Sequence, residues 1–324
     1  MARPAQARQE EIERGRLAER PQEIPARGWR DIALRAKDKV SATNLSLAAA
    51  GVAFYGLLSI FPALAAGVSI YGLVADPVSI EQQISTLSGV LPKEALGIIT
   101  GQLHRIAATS SNALSVGLVI SVLFALWSAS SGVKALMTAL NVTYDEPEKR
   151  GFLRLNATAL LLTLGAIVFA VLSLGLVVAL PALLGSLGLG DVARIAVSVL
   201  RWPLLAGAVM IGLAVLYRYA PSRDEPRWSW VSPGAILATV LWIIVSGLFS
   251  FYVSNFGNYN ETYGSIGAVV ILLMWLYLTA FIVLVSAALN AEMEHQTEAD
   301  TTEGAPRPMG ARSARMADTL GKRG

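Results

Sequence analysis

The chain of 324 residues has no cysteine and only two histidines, His104 and His295. Without cysteine it has no disulfide framework, no Cys-ligated zinc site and no thiol nucleophile. Two histidines far apart in the chain are too few for the ligand set of a metal-dependent nuclease. There is also no Gly-x-Ser-x-Gly elbow, no phosphate loop and no dinucleotide fingerprint. We therefore predict no metal, no cofactor and no enzymatic activity.

Charge is also scarce, with 15% charged residues against 54% hydrophobic ones. Six stretches contain no Asp, Glu, Lys or Arg: residues 40–75, 106–133, 155–190, 202–217, 228–260 and 262–291. A helix of about 20 mostly apolar residues crosses the hydrocarbon of a bilayer. The sequence therefore predicts an all-α membrane protein with six transmembrane helices, near 45–75, 113–140, 156–184, 195–217, 231–253 and 265–290.

These spans belong to one predicted membrane domain, residues 28–294. The flanking segments, 1–27 and 295–324, are polar and poor in apolar residues, which is typical of disorder. Basic residues near a span stay preferentially in the cytoplasm. They cluster before span one, between spans two and three and between spans four and five, at Arg27 to Lys39, Lys149 to Arg154 and Arg218 to Arg227. Both termini are therefore predicted to be cytoplasmic.

The basic segment ending at Lys39 also bears on partners. Glutamates in its first part lower the net positive charge, and Trp29 is the only aromatic residue among the basic ones. Nucleic-acid binding is therefore not expected. Attraction to anionic lipid headgroups is a better use of its charge. We predict membrane lipids as partners and leave a homo-oligomer open.

Spans one and two contain the first candidate functional features. Pro62 lies near the middle of span one, where a proline kinks a helix, either as plain structure or as a hinge or pocket. The small residues from Ser128 to Gly132 in span two favour close helix packing. Lys134 follows them, and its ammonium group either snorkels to the inner headgroups or points into the bundle.

Two predicted outer loops complete the candidates. The first, residues 76–112, shows helical apolar spacing that predicts two amphipathic helices, as a cap or as a substrate lid. The second contains Asn255, Asn258, Glu261 and Tyr263. Such amides and carboxylates either bind a cation, sugar or phosphate group or simply form a tight turn.

Several polar motifs resemble one family. They include Trp127-Ser128-Ala129-Ser130-Ser131-Gly132, Ala139-Leu140-Asn141 with Tyr144, Tyr217-Arg218-Tyr219-Ala220-Pro221, Tyr252-Val253-Ser254-Asn255-Phe256 and Tyr263-Gly264-Ser265-Ile266-Gly267. Over about residues 30–294 the chain is similar to the YihY/BrkB family of bacterial inner-membrane proteins, some of which have been labelled ribonuclease BN. The resemblance implies six helices in the bacterial cytoplasmic membrane and an unsettled activity. Many relatives place a glutamate where this chain has Ala288, so any proton relay there would need another group, such as Glu292.

Two classes of function remain. The favoured hypothesis is a transporter or flippase-like protein for a small solute or an envelope amphiphile, and the alternative is a non-transporting scaffold or envelope-integrity factor. Under the first, Lys134 and Arg218 would contact an anionic group. The full set of predicted lining or gating residues is Lys134, Asn141, Tyr144, Arg218, Asn255, Asn258, Glu261 and Tyr263.

Overall fold

The computed structural model of the protein describes residues 5–72, 114–176, 191–256 and 265–322. Its α-helices are α1 (Ala5–Glu13), α2 (Ala26–Ala42), α3 (Leu45–Gly72), α4 (Leu114–Thr143), α5 (Phe152–Leu174), α6 (Asp191–Tyr219), α7 (Trp228–Phe256), α8 (Ser265–Glu294) and α9 (Arg315–Asp318). Within these ranges there is no β-strand, only an isolated bridge between Pro226 and Thr302. The predicted all-α class is confirmed, whereas the predicted amphipathic helices of residues 76–112 lie outside the described residues.

Helices α3 to α8 are long and apolar enough to cross a membrane, which confirms the six predicted spans. Only 6% to 28% of each most apolar window is buried within the protein. On α7, for example, Ile236, Val240 and Ile243 are about half exposed and recur at helical spacing. Exposed apolar stripes of this kind are solvated by lipid in a membrane, so most of the surface of the spans is available to lipid.

The contacts form two compact units. The first comprises Met1–Ala53, Ala135–Leu155 and Pro203–Gly324, and the second comprises Phe54–Lys134 and Asn156–Trp202. Helices α3, α4, α5 and α6 each contribute to both units because the unit boundaries fall inside them.

In the second unit, the small residues of α4 lie directly against α3. The Ser59 hydroxyl accepts a 2.9 Å hydrogen bond from the backbone N–H of Gly132 and lies 3.0 Å from the Ser131 hydroxyl. A Cβ atom at Gly132 would come within 2.8 Å of the Ser59 oxygen. The predicted close packing through small residues is confirmed, since only a glycine leaves room for this approach. Helix α3 continues through Pro62 to Gly72.

In the first unit, α7 packs against α8 through small residues, among them Ala235, Ala238 and Ala287, which are fully buried. Near the middle of the contact, the Trp242 indole N–H donates a 3.2 Å hydrogen bond to Thr279 on α8. A membrane offers no hydrophobic gain for bringing two apolar helices together, so close contact and polar links of this kind drive their association.

Asn290 holds the first turns of α7 beside Pro233. Its side-chain oxygen accepts a 2.8 Å hydrogen bond from the Gly234 N–H, and its amide donates a 3.1 Å hydrogen bond to the Val231 carbonyl. Both bonds are buried. The Asn290 carboxamide therefore supplies hydrogen bonds to backbone groups on either side of Pro233, whose own nitrogen has no hydrogen to donate.

The two terminal segments, predicted to be disordered, are packed together, so that prediction is wrong for the described residues. Arg16 is buried and donates a 2.6 Å hydrogen bond to the Gly321 carbonyl. Arg312, also buried, donates to the carbonyl oxygens of Ala299, Ala317 and Glu298 at 2.6 to 3.0 Å. Composition failed here because buried arginines bound to backbone carbonyls supply the order that apolar residues would normally give.

A small apolar cluster completes this packing. Ala18, Ile24 and Ile32 from the N-terminal segments meet Trp230 of α7 and Met293 of α8. The cluster explains why a short polar segment takes a fixed position against the ends of two spans. The contacts put both terminal segments at the same end of the first unit, and which side of the membrane that end faces stays a prediction.

We predict that Gly234→Ala destabilises the protein by about 1–3 kcal/mol, because the added Cβ would lie within 2.4 to 2.5 Å of the Asn290 carboxamide. The amide would have to leave both backbone partners. The measurement is the unfolding free energy in detergent micelles. Gly247→Ala on the same helix is the control, since nothing lies within 4 Å of its added methyl group. Equal stability of the two variants would contradict the assigned role of Asn290.

Candidate functional site

Of the eight residues predicted to line a path, three lie in the first unit near the packed terminal segments: Asn141, Tyr144 and Arg218. Lys134 lies in the second unit. Asn255 is exposed at the end of α7, where its amide donates to the Phe251 carbonyl. The remaining three, Asn258, Glu261 and Tyr263, lie outside the described residues.

Asn141 fastens two loops to the end of α4. Its side-chain oxygen accepts a 2.7 Å hydrogen bond from the Ser222 N–H, and its amide donates a 2.9 Å hydrogen bond to Glu148. Glu148 in turn binds Arg150 through both carboxylate oxygens at 2.8 Å, and Arg150 donates to the Ala220 carbonyl. The loop after α4 and the loop after α6 are therefore joined side by side.

The electrostatics of Glu148 show how strongly this junction favours charge. Partial burial by itself raises the pKa of Glu148. The hydrogen bonds from Arg150, Ser222 and Asn141 together lower it by a larger amount, so the net pKa is about 2. The carboxylate therefore stays ionised at any physiological pH. Its contribution to stability is present at neutral pH and is lost only as the pH falls from about 4.5 toward 2.

Tyr144 lies beside a fully buried ion pair. Arg223 binds Glu294 at 2.7 Å, with both side chains at 0% exposure, and the guanidinium carbon lies 4.6 Å from the centre of the Tyr144 ring. Burial lowers the pKa of Arg223, but the charge and hydrogen bond of Glu294, together with Tyr144 and Glu146, raise it by more in sum, so the net shift is upward. Burial raises the pKa of Tyr144. The Tyr144 side chain is therefore a neutral phenol beside a permanently charged ion pair.

Arg223 is only partly satisfied by this arrangement. Among the described residues, no acceptor lies within hydrogen-bonding distance of its Nε or Nη1 atoms. The second oxygen of Glu294 accepts a 2.9 Å hydrogen bond from the Thr301 hydroxyl, which ties the C-terminal segment to the same pair.

A second ionic cluster joins α2 to the end of α8. Arg35 binds Glu292 at 2.7 Å and also donates to Gln296, while Lys39 lies 3.7 Å from Glu292 and 2.8 Å from Asp145. Glu292, suggested as a substitute for a carboxylate at position 288, is therefore held between two cations. Ala288 itself is fully buried, one helical turn before it.

Arg218 is neutralised where it stands. Its guanidinium donates to the carboxylates of Glu225 and Glu303 at 3.0 and 3.2 Å and to the Pro226 carbonyl at 2.7 Å. Its guanidinium carbon also lies 4.7 Å from the Trp228 ring centre. The charge of Arg218 is therefore matched by carboxylates of the protein itself.

Lys134 differs from these residues because it lies inside a span. It precedes the end of α4 at Thr143 by nine residues, about 13.5 Å along the helix. Its ammonium group lies 4.3 Å from the ring centre of Trp127, seven residues earlier, so it points away from the nearer end of the helix. The side chain is half-buried and leans toward the N-terminal part of α4, and Lys134 lies within the candidate span Val122–Thr143, so whether it snorkels in a bilayer stays a prediction.

Metal chemistry finds no support in the described part of the chain, where no three His, Asp or Glu side chains are grouped to hold an ion. His295 contacts Glu292 at 3.2 Å, and His104 lies outside the described ranges.

Several residues of this site escaped prediction from the sequence. Arg223 was counted only as a cytoplasmic charge, and its partner Glu294 is 71 residues away. No pattern in the sequence around Glu148 or Asn290 indicates their contacts. Partners so distant in the chain follow only from the packing of α4, α6 and α8.

Comparison with known proteins gives a family match. The sequence profile of a family described as virulence factor BrkB matches residues 36–310. A Bacillus subtilis protein called putative ribonuclease-like protein YfkH is 33% identical over 75% of this chain and 87% of its own length. A UPF0761 membrane protein of Alteromonas mediterranea is 37% identical over 32% of this chain and 34% of its own. No solved structure matches.

We expect Glu294→Gln to lower the unfolding free energy by about 3–5 kcal/mol, because it leaves the Arg223 cation buried without a counter-charge. Denaturant unfolding in micelles measures the loss. The exposed pair of Arg27 and Glu13 gives the matched control, and Glu13→Gln should cost at most about 1 kcal/mol.

A double variant tests the same role of the Arg223–Glu294 ion pair. Replacing both members, as Arg223→Met with Glu294→Leu, should restore most of the lost stability, since no uncompensated charge remains. A Glu294→Gln variant no less stable than Glu13→Gln would show that the pair is not what holds this end together.

Proposed function

Because this chain belongs to the BrkB family of membrane proteins, we propose that it is a flippase-like transporter of an anionic amphiphile in the bacterial cytoplasmic membrane. We further propose that both termini lie in the cytoplasm, as the placement of Lys and Arg beside the spans indicates. Membrane lipids are then both its solvent and its first candidates for substrate.

The observation that carries the proposal is the position of Lys134. Placing a cation inside an apolar span costs several kcal/mol. Charged residues that are kept in spans in spite of this cost often mark substrate paths. Lys134 is half-buried, lies within the candidate span Val122–Thr143 and stacks on the indole of Trp127. A cation beside an aromatic ring suits a ligand with an anionic head and an apolar tail.

The polar surroundings of Lys134 support an amphiphile over a free ion. Ser131 lies one helical turn before it on α4, and Ser59 of α3 contacts Ser131 and Gly132. Both hydroxyls already hydrogen-bond to helix backbone carbonyls, at Ser128 and Tyr55. One ammonium group and two partly engaged hydroxyls are too few to replace the full hydration shell of a small ion. They suffice for a headgroup whose chains remain in lipid.

A specific observation favours the alternative, a non-transporting scaffold. Asn141, Tyr144 and Arg218 all serve contacts within the protein, so three of the predicted path residues have a purely structural explanation. Under this alternative the exposed faces of the spans would bind partner helices, and Lys134 would be a packing residue. We retain these three only as positioning groups for the loops.

We propose no enzymatic activity, although a relative carries a ribonuclease-like name. The purified, magnesium- or zinc-loaded protein should not cleave transfer RNA above the background of a mock preparation, because the chain supplies only two histidines and no cysteine. Cleavage that survives repurification and is removed by a chelator would contradict this expectation.

Lys134→Met should slow movement of fluorescent phosphatidylglycerol across proteoliposome membranes at least tenfold, since it removes the charge but keeps most of the side-chain volume. Dithionite quenching of the outer leaflet measures the rate, with and without an imposed pH gradient. Lys134→Arg should retain a substantial rate, and Leu123→Ala on the exposed face of the same helix is the neutral control.

The two functions give different results in this assay. Wild-type protein that moves no more lipid than empty vesicles, in either gradient condition, would favour the scaffold. Equal rates for wild type and Lys134→Met would show that transport, if present, does not use this cation.

A further inference from the structure

Helix α2 has one buried and one exposed face, and the two treat their charges differently. On the buried face, Asp31 binds Arg14 at 2.6 Å, and Arg35 and Lys39 bind carboxylates at 2.7 and 2.8 Å. Every charged group that α2 turns toward α8 and the terminal segments therefore has a partner of opposite sign.

The exposed face has the opposite character. Arg30, Leu34, Lys37 and Ser41 recur at helical spacing and are exposed, and Leu34 is 41% exposed. Within the part of the chain that the structure describes, Arg30 and Lys37 make no ion pair or hydrogen bond. Arg27, at the edge of this face, is held by Glu13. The result is a stripe of two cations flanking a leucine, which we call the basic stripe: Arg30, Leu34 and Lys37. Asp38 is also exposed but lies beside the stripe, about 80° around the helix from Arg30.

The place of α2 in the chain brings the basic stripe to a membrane surface. Helix α2 ends at Ala42 and the first span begins at Leu45, with only two residues between them. Asn44 has a φ of 50°, so the chain turns sharply instead of continuing one helix into the bilayer. The headgroup layer is roughly 5–7 Å thick on each side of the hydrocarbon, less than the diameter of a helix. A helix joined this closely to a span lies at that layer.

We infer that the basic stripe of α2 is a binding surface for anionic lipid headgroups, separate from any path near Lys134. Charge complementarity selects the occupant: two cations attract phosphate, and the leucine between them enters the boundary with the acyl chains. The pairing of Arg35 and Lys39 fixes the rotation of the helix, so the stripe has one defined direction. This surface anchors the N-terminal side of the first span to anionic regions of the bilayer.

The test compares two charge-matched double variants of the full chain. Arg30→Gln with Lys37→Gln removes the stripe, and Arg20→Gln with Arg315→Gln removes two exposed cations elsewhere at the same end. Native mass spectrometry of each protein from nanodiscs with equal phosphatidylglycerol and phosphatidylcholine counts the retained anionic lipid. We expect retention by the stripe variant to fall about fivefold per charge, roughly 25-fold in all, and by the control hardly at all.

Two further arms make the result specific. Both variants should unfold at the wild-type temperature in pure phosphatidylcholine, since the changed side chains are exposed and the fold does not use them. Soluble glycerol phosphate should not displace the retained lipid. Equal loss of lipid in both double variants would overturn the inference in favour of diffuse attraction. Displacement by glycerol phosphate would overturn it in favour of a site for a soluble anion.

Discussion

The Arg223–Glu294 ion pair is the interaction on which the polar end of the protein depends. Both charges are removed from water, so their attraction is strong only while they stay together, and separation would leave each at a high energetic cost. Arg223 comes from the loop after α6, Glu294 ends α8, and Tyr144, whose ring lies beside them, directly follows α4. Thr301 adds the C-terminal segment. One pair thus fixes the relative position of four chain segments.

The hydrocarbon explains why polar groups gather here. Inside the spans a charge has few ways to be satisfied, so the loops and helix ends hold most of the charged groups. Once collected, they satisfy one another: Asn141 with Glu148 and Ser222, and Arg218 with Glu225 and Glu303. The charged groups at this end are therefore largely paired with one another. This pairing accounts for the packing of a C-terminal segment whose composition alone is typical of disorder.

The sequence predicted what depends on local pattern. Charge-free stretches of span length predicted six helices, and the small residues near Gly132 predicted close contact with a neighbouring helix. It did not predict what depends on distant partners. Nothing near Arg223 indicates that its partner is 71 residues away, and nothing in the tail indicates that Arg312 would be enclosed by backbone carbonyls. Helix periodicity carries the first kind of information, and tertiary packing alone carries the second.

Arg218 and Lys134, both predicted to contact an anionic group, have different surroundings in the structure. Both are cations near aromatic rings, and the sequence assigned both the same predicted role. Arg218 ends its helix among two carboxylates and a carbonyl, so its environment already neutralises it. Lys134 lies nine residues inside α4 and turns toward Trp127, away from the nearer helix end. Under the proposed function, the headgroup of an anionic amphiphile would contact the ammonium group of Lys134, whereas Arg218 holds the loop after α6 and the C-terminal segment together.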